Sequence, residues 1–403
     1  MPGKPLRIAL VSSYEGSGGA GAAAHRLWQG LCARPDVYVR RFVEHREIAD
    51  SDAVLFSEGG RFNRISSDVA GWLDCSDSNA WRRWRQRCSL SNLLKHVRWT
   101  KPDVINLHGF NQWTQPGLAR DAVLKLAEIA PVVWTLHDLW PLTGTCDFVG
   151  ASAPEAVSHG ATSREGKQLA SLGRKLVWAG PSKWITELAR AAYENCPCVT
   201  IPYGVDTTAF HPMERHAART FWSVPDDALV IGAVAYRLHD PRKGIATLIE
   251  AAAGLERQVM LLLAGHEDVP LPRPAGVDVR VVGPISDERL LRALYAAADV
   301  VAVPSIEDNL PNVMLESLAC GRPVAGSAVG GIPDAVRPGA TGWLAPAGDV
   351  AAWRAMLTEA LAAVDAEAGA WHARCRAVAE AEYSLAAQAS AYAECFRGKG
   401  VAG

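Results

Sequence analysis

The sequence predicts an α/β protein built from two doubly wound parallel sheets. The chain has 403 residues, which is enough for two domains of roughly 100–200 residues each. Short apolar runs alternate with amphipathic stretches, and this rhythm favours parallel strands covered by helices on both faces. The rhythm breaks near 203–212, where turn residues accumulate, and then starts again. Ligands of such sheets bind beyond the carboxyl ends of the strands, so two sheets face to face would form a cleft.

The first half contains the elements of the first predicted sheet. Apolar runs of strand length occupy 6–11, 37–43, 103–107 and 132–136. Helical periodicity occupies 22–31 and 118–127, and 178–193 is typical of a strand end, a loop and a helix.

The second half repeats the pattern after the turn-rich connection. Strands are predicted at 229–234, 259–263, 279–282, 300–303 and 323–325. Helices are predicted at 244–252, 287–297 and 312–320, and the chain is mostly helical from residue 350 onward.

Composition excludes several classes of protein. Lys and Arg total 41 against 43 Asp and Glu, for a formal net charge of −2, which argues against charge-driven binding of nucleic acid. The hydrophobic share of 49% is too high for a disordered chain. No apolar run reaches the roughly 18–20 residues of a membrane span. The nine scattered cysteines indicate reduced thiols, and we expect a cytoplasmic protein.

A glycine loop follows the first predicted strand and precedes a helix. Its pattern Gly16-x-Gly18-x-x-Gly21 lets the backbone approach a phosphate or a sugar, and the helix amino end adds N–H groups and positive potential. The same pattern is compatible with a dinucleotide site or with a simple tight turn. A dinucleotide site needs an acid about 20 residues on; Glu44 is a possible candidate, but Arg40 and Arg41 lie nearer the expected position.

A basic pair follows the first strand of the second half. Arg237 and Lys243 would lie at the ligand edge of that sheet. Guanidinium and ammonium groups bind diphosphates, and they stabilise the negative charge that builds up when a sugar–diphosphate bond breaks. We interpret Arg242, between them, as a solvated loop charge.

An acidic pair follows a later strand of the second half. Asp308 is predicted in a loop and Glu316 on the helix that follows. Carboxylates accept hydrogen bonds from vicinal hydroxyls such as those of a ribose or a hexose. The apolar neighbours of Glu316 predict a buried helix, and a buried carboxylate needs partners.

Together these motifs resemble a retaining glycosyltransferase of the GT-B fold, family 4. That family has a basic pair after the first strand of its second domain and two acids separated by seven residues. The segments 319–324, 330–334 and 339–342, and the connection at 201–206, are also similar to it. The segments 134–144 and 308–312 resemble its exopolysaccharide branch, of the colanic acid type.

The resemblance implies the domain organisation and the roles of the site residues. It implies an acceptor domain at 1–205, a donor domain at 206–380 and a carboxyl-terminal helix at 381–403 that returns to the first domain. Arg237 and Lys243 would hold the diphosphate, and Glu316 the ribose. In the second domain, the resemblance implies that Asp308, with Asn309 and Leu310, contacts the sugar, and that Pro284 and Ile285 contact the base. In the first domain, it implies that Gly18 and Gly19 contact the diphosphate or the acceptor and that His108 lies near the anomeric carbon. It places His137 and Asp138 on the acceptor side. The first acid of the pair is usually Glu in the family, and Glu307 adjoins Asp308, so the choice between these two stays open.

The implied activity is transfer of a sugar from a nucleotide diphosphate sugar to an acceptor hydroxyl with retained configuration. The acceptor could be a saccharide, a lipid-linked molecule or a small molecule, in polysaccharide or natural-product biosynthesis. No metal or other cofactor is expected, because cations of the chain neutralise the diphosphate. The alternatives are a nucleotide-sugar epimerase, a phosphorylase-like enzyme, an NAD-dependent oxidoreductase that uses the glycine loop, and a silent sugar-nucleotide binder.

A basic stretch in the first half carries seven Lys and Arg residues and no acid between residues 81 and 101. It has a helical apolar stripe, formed by Leu90, Leu93, Leu94 and Val97. One interpretation is a helix of the first domain with a solvated basic face. The other is a peripheral contact with anionic lipid at the inner membrane face.

Overall fold

The computed structural model describes residues 4–49, 51–57, 79–109 and 116–399. The described chain divides into two compact units. The first contains residues up to 181, residues 185–201 and the end of the chain from 389. The second contains residues 182–184 and 202–388.

The first unit is built on a seven-stranded parallel sheet with the strand order β3-β2-β1-β4-β5-β6-β7. Its strands are β1 (Leu6–Tyr14), β2 (Val37–His45), β3 (Val54–Leu55), β4 (Val104–His108), β5 (Val132–Thr135), β6 (Leu176–Gly180) and β7 (Cys198–Thr200). Its helices are α1 (Gly18–Cys32), α2 (Asn79–Thr100), α3 (Pro116–Ala127), α4 (Trp140–Thr143), α5 (Ala153–Thr162), α6 (Arg164–Ala170) and most of α7 (Lys183–Ala192).

One face of this sheet is covered by α1 and by the last described helix, α14 (Leu385–Phe396). Ile8 and Leu10 of β1 pack there against Leu27 of α1 and Tyr392 of α14. Only the part of α14 from residue 389 belongs to the first unit.

The second unit has a six-stranded parallel sheet with the strand order β10-β9-β8-β11-β12-β13. Its strands are β8 (Leu229–Arg237), β9 (Val259–His266), β10 (Val277–Val281), β11 (Val300–Val303), β12 (Val324–Ser327) and β13 (Gly342–Ala345). Its helices are α8 (Arg215–Phe221), α9 (Ile245–Ala253), α10 (Glu288–Ala297), α11 (Asn312–Ala319), α12 (Ile332–Ala335) and α13 (Val350–Glu382). The long helix α13 is interrupted at Glu367, whose backbone is not helical.

The predicted fold class is confirmed, since both sheets are parallel and both strand orders reverse next to the first strand of their unit. The unpredicted elements include very short ones, such as β3 with two residues and α12 with four, and a segment that short does not repeat its pattern even twice. Strand β13 begins with Gly342, where a Cβ would lie 1.8 Å from the carbonyl oxygen of Val324. A glycine in a strand weakens the β pattern, although here it allows the close backbone approach.

No helix within the described ranges is both long and apolar enough to span a bilayer.

Candidate active site

A tight basic turn lies at the carboxyl end of β8. Residues 241–243 form one turn of 3₁₀ helix, and the carboxylate of Asp240 accepts a hydrogen bond from the N–H of Arg242 at 3.0 Å. Gly244 follows with φ +64°, and a Cβ there would lie 1.9 Å from the carbonyl oxygen of Pro304. Only glycine fits this approach. The turn therefore packs directly on the loop after β11.

Lys243 and Asp308 meet where these two segments touch. The Lys243 Nζ lies 2.6 Å from Asp308 Oδ2. The same oxygen accepts a bond from Ser305 Oγ at 3.1 Å, and Oδ1 accepts one from the N–H of Asn309 at 3.1 Å. Asp308 is 8% exposed, so these bonds offset the cost of burying its charge. An ammonium group has three donors, so Lys243 can bind Asp308 and a phosphate oxygen together.

The loop that carries Asp308 is fixed by a glycine pair. The N–H of Gly331 donates to the carbonyl oxygen of Asn309 at 2.7 Å. Gly330 has φ +54°, and a Cβ there would lie 1.8 Å from the carbonyl oxygen of Asp308. On the other side, Ser182 Oγ donates to Asn309 Oδ1 at 2.6 Å. Asn309 and Leu310 are both buried, so the loop holds Asp308 in place without help from a ligand.

Glu316 lies on the buried side of α11. Its Oε2 accepts a hydrogen bond from the hydroxyl of Tyr295, on α10, at 2.7 Å. The carboxylate is 6% exposed and Tyr295 is fully buried. This bond gives the buried carboxylate one partner that the sequence did not reveal.

The other predicted donor residues of the second unit are more exposed. Arg237 ends β8 with its side chain 60% exposed, and its Nε lies 3.7 Å from the carboxylate of Asp268. Among the described residues it contacts neither Lys243 nor Asp308. Pro284 is exposed and Ile285 half-buried, and both follow β10 and Gly283. The roles predicted for Arg237, Pro284, Ile285 and Glu316 stay predictions.

The glycine loop of the first unit holds a carboxylate of the same chain. The N–H groups of Gly16 and Ser17 donate to Glu47 Oε2 at 3.0 and 2.8 Å, and the Ser17 hydroxyl donates to Oε1. Burial would raise the pKa of Glu47, but these bonds outweigh it and the pKa lies below its usual value. The loop thus holds a carboxylate of the same chain, and the ligand contacts predicted for Gly18 and Gly19 stay predictions. Gly18 starts α1 with φ +68°, and Gly19 follows it.

A buried ion pair holds the segment that carries Glu47. Glu15 accepts hydrogen bonds from the N–H groups of Glu47 and Ile48, both at 3.1 Å, and lies 3.1 Å from the guanidinium of Arg41. Glu15 and Arg41 are both buried. Arg41 is therefore the cationic partner of a buried carboxylate.

A buried chain of hydrogen bonds links Asn106 and His108 of β4 with His137, which lies just beyond β5. Asn106 Nδ2 donates to the backbone carbonyl of Val133 at 3.0 Å, which fixes the amide orientation because a carbonyl only accepts. Asn106 Oδ1 therefore accepts the Nε2–H of His108, at 2.7 Å. A neutral His108 then has its lone pair on Nδ1, and that atom accepts the Nε2–H of His137, at 3.0 Å.

Burial keeps this histidine pair neutral. Burial lowers the pKa of His108 well below its ordinary value, helped by His137, and lowers the pKa of His137 to about 3. Both ring nitrogens of His108 bond within the protein, so its predicted contact with the donor sugar would require one of these bonds to open. His137 is the more exposed of the pair.

Asp138 follows His137, and its pKa is shifted in the opposite direction. Burial, together with the charge of Asp147, raises the pKa of Asp138 to about 7, although the N–H of Trp140 donates to it at 2.9 Å. Near neutral pH this carboxyl can therefore donate or accept a proton.

Within the described residues, no three His, Cys, Asp or Glu side chains gather as a metal site would require. The site residues that the sequence reasoning missed are Ser305, Tyr295, Asn106 and Glu47. Only Asn106 had a local signal, because it lies two residues before His108 and therefore on the same face of a strand.

Comparisons with known proteins agree with this architecture. A family described as "Glycosyl transferases group 1" matches residues 228–363. The D-inositol 3-phosphate glycosyltransferase of Mycolicibacterium smegmatis is 34% identical over 388 residues, which cover 89% of this chain and 84% of that protein. The protein of the same name from Mycobacterium sp. (strain KMS) is 37% identical over 379 residues, which cover 87% and 81%.

Two solved structures share the fold over nearly the whole chain. Sucrose-phosphate synthase from Thermosynechococcus elongatus superimposes with a TM-score of 0.71 at 21% identity, covering 98% of each chain. Anabaena HepE in complex with UDP superimposes with a TM-score of 0.64 at 16% identity, covering 98% of this chain and 100% of HepE.

Proposed function

The chain belongs to the group 1 glycosyltransferases, and on this premise we propose that it transfers a sugar from a nucleotide diphosphate sugar to an acceptor hydroxyl with retained anomeric configuration. The observation that carries the proposal is the contact of Lys243 with Asp308 at the carboxyl end of the second sheet. A cation held there by a fixed carboxylate suits a leaving group that gains negative charge.

The proposed contacts with the donor are made by residues of the second unit. Lys243 binds the diphosphate, and Asp308 keeps the ammonium group in place while it accepts a bond from a hydroxyl of the transferred sugar. Glu316 accepts bonds from the ribose, and Arg237, at the exposed end of β8, supplies a second cation. HepE was solved with UDP and with UDP-glucose, so a uridine diphosphate sugar is the first donor to test.

In the proposed reaction, the bond from the anomeric carbon to the diphosphate breaks, and the acceptor oxygen bonds to the same face of that carbon. The acceptor proton passes to the leaving phosphate. The chain contributes positioning and charge stabilisation, and it needs no metal for the diphosphate. Activity that survives EDTA would support this, while activity that returns only with Mg²⁺ would contradict it.

The proposed acceptor is inferred from the residues of the first unit and from the names of the relatives. Relatives that cover more than four fifths of the chain are named for D-inositol 3-phosphate, so we propose a small phosphorylated polyol of this kind ahead of a growing polysaccharide. His137, oriented through His108, would contact the acceptor hydroxyl, and Asp138 would lie beside it.

A two-stage experiment tests the proposal. The first stage is a thermal-shift panel of UDP-, GDP-, dTDP- and ADP-sugars, in which one donor should raise Tm. The second combines that donor with an inositol phosphate or a simple saccharide and detects the glycoside and its anomeric configuration by NMR. An inverted product would overturn the retaining mechanism. Turnover of the donor to an epimer without any acceptor would overturn the transferase.

A further inference from the structure

A group of aromatic and basic side chains lies at the amino ends of β1 and β2, at the edge of the first sheet opposite to the glycine loop. Trp99 is 83% exposed and Tyr38 is 53% exposed, which is unusual for residues of this size. They line an open cavity of about 850 Å³. We call its lining the amino-edge patch, which comprises Arg7, Tyr38, Arg40, Trp99, Thr100 and Lys101.

The fold holds this patch in place. Arg7 pairs with Tyr38 in the register of β1 and β2, and Tyr38 and Arg40 lie on one face of β2. The guanidinium of Arg7 donates to the carbonyl oxygen of Thr100. Lys101 directly follows α2 and has its backbone in the left-handed region, with φ +47°. The end of the helix is therefore tied to the sheet, and Trp99 points away from the core.

The structure also decides what the basic stretch exposes. Its apolar stripe is buried in the first unit, including Leu93 and Val97, which are fully buried. In its last turns α2 exposes Lys95, His96, Arg98 and Trp99. The interpretation of this stretch as a domain helix is therefore right for its apolar face, while its exposed end adds charge to the amino-edge patch.

The charge of this surface is positive although the chain as a whole carries −2. Arg40 has one acidic neighbour, Asp52, at the long distance of 3.9 Å. For Lys95, Arg98 and Lys101, no described carboxylate lies within ion-pair distance. A local excess of cations beside two exposed aromatic rings favours a surface that is both anionic and partly apolar.

We propose that the amino-edge patch docks the protein onto a bilayer that contains anionic lipid. Tryptophan and tyrosine prefer the boundary between lipid and water, where the ring is apolar and its polar atom stays hydrated. Lysine and arginine add attraction to anionic headgroups.

Docking through this patch would leave the ligand edge of the first sheet away from the lipid. Arg7 and Tyr14 are seven residues apart on β1, so these two edges are separated by roughly 23 Å. Docking therefore does not require a lipid-embedded acceptor. It also does not rest on the proposed glycosyl transfer.

The test is co-flotation of the full chain with vesicles of phosphatidylcholine alone or with 40% phosphatidylglycerol. We expect binding only to the anionic vesicles, weakening as salt increases. Arg98→Gln with Lys101→Gln should reduce partitioning about 30-fold, for two charges at about 1 kcal/mol each. Trp99→Ala should also reduce it. Arg164→Gln with Lys167→Gln, the same charge change at exposed positions of α6, should leave it unchanged.

Any of three results would overturn the proposal. The wild-type chain could fail to bind anionic vesicles, or it could bind inorganic polyphosphate or an oligonucleotide in place of vesicles. The patch variant and the α6 control could also lose vesicle binding equally. All the substituted side chains are exposed, so the variants should keep the wild-type Tm. Their donor-induced thermal shift should also be unchanged, which separates failure of docking from failure of the proposed catalysis.

Discussion

Replacing Lys243 with alanine removes the cation that we assign to the leaving diphosphate. The substitution leaves the turn intact, because the turn is held by Asp240 and by the N–H of Ile306, which donates to the carbonyl oxygen of Arg242 at 2.7 Å. Losing one preorganised group of this kind costs about 100- to 1,000-fold in turnover, or roughly 3–4 kcal/mol. We expect a loss of that size in kcat with a smaller change in KM for the donor.

The same substitution affects stability, and this effect can be separated from catalysis. Asp308 would lose its cation while keeping its bonds from Ser305 and Asn309, at a cost of about 1–3 kcal/mol in the free energy of unfolding. Adding Asp308→Asn removes the unpaired charge, so the double variant should regain part of this stability but not the turnover.

The assay follows release of the nucleoside diphosphate together with formation of the glycoside, using the donor found by the thermal-shift panel. Arg242→Gln is the matched control, because it removes a neighbouring cation in the same turn whose side chain pairs with Asp240. The control should keep near-normal turnover. The role assigned to Lys243 is falsified if the turnover of Lys243→Ala stays within about threefold of the wild type, or if Arg242→Gln loses as much turnover as Lys243→Ala.

Three further predictions concern the buried polar groups. Asn106→Leu leaves the buried Nε2–H of His108 without its acceptor, so it should lower the free energy of unfolding by about 1–3 kcal/mol. A urea titration measures this, and an unchanged unfolding midpoint would contradict the hydrogen bond between Asn106 and His108. Burial lowers the pKa of His137 to about 3 and raises that of Asp138 to about 7, so from pH 6.5 towards 4 His137 lowers the free energy of unfolding by about 1.4 kcal/mol per pH unit and Asp138 raises it by as much. His108, whose pKa is also lowered by burial, adds to the loss on acidification. Asp138→Asn should therefore steepen the loss of stability on acidification by about 1.4 kcal/mol per pH unit, and an unchanged slope would argue against the raised pKa of Asp138. Glu316→Gln keeps a hydrogen-bond acceptor at that position but loses the negative charge. It should weaken the donor-induced thermal shift, while Tm without donor changes little. Donor binding as strong as in the wild type would show that Glu316 does not contact the donor.

The meeting of Lys243 with Asp308 could be anticipated from the sequence, although 65 residues separate them. Each follows a predicted strand, and the strands β8 and β11 are neighbours in the sheet. The carboxyl ends of neighbouring parallel strands lie together, so side chains just beyond them can meet. What the sequence could not give is the distance, which depends on Gly244 packing against Pro304.

Other features of the candidate site depend on tertiary packing that leaves no local pattern. Glu47 reaches the glycine loop from 30 residues further along the chain, and nothing near it in the sequence marks it as a partner of N–H groups. Tyr295 meets Glu316 through the packing of two helices. The protonated nitrogen of His108 is set by Asn106, whose own orientation depends on a carbonyl in the next strand.

The most direct test of the central claim is a crystal structure of the chain with its donor, or with the nucleoside diphosphate alone. If Lys243 binds the leaving group, a diphosphate oxygen should lie about 2.7–3.2 Å from Lys243 Nζ, with Asp308 still bonded to the same ammonium group. A diphosphate bound elsewhere, with the contact between Lys243 and Asp308 unchanged and no ligand atom near it, would contradict the role proposed for Lys243.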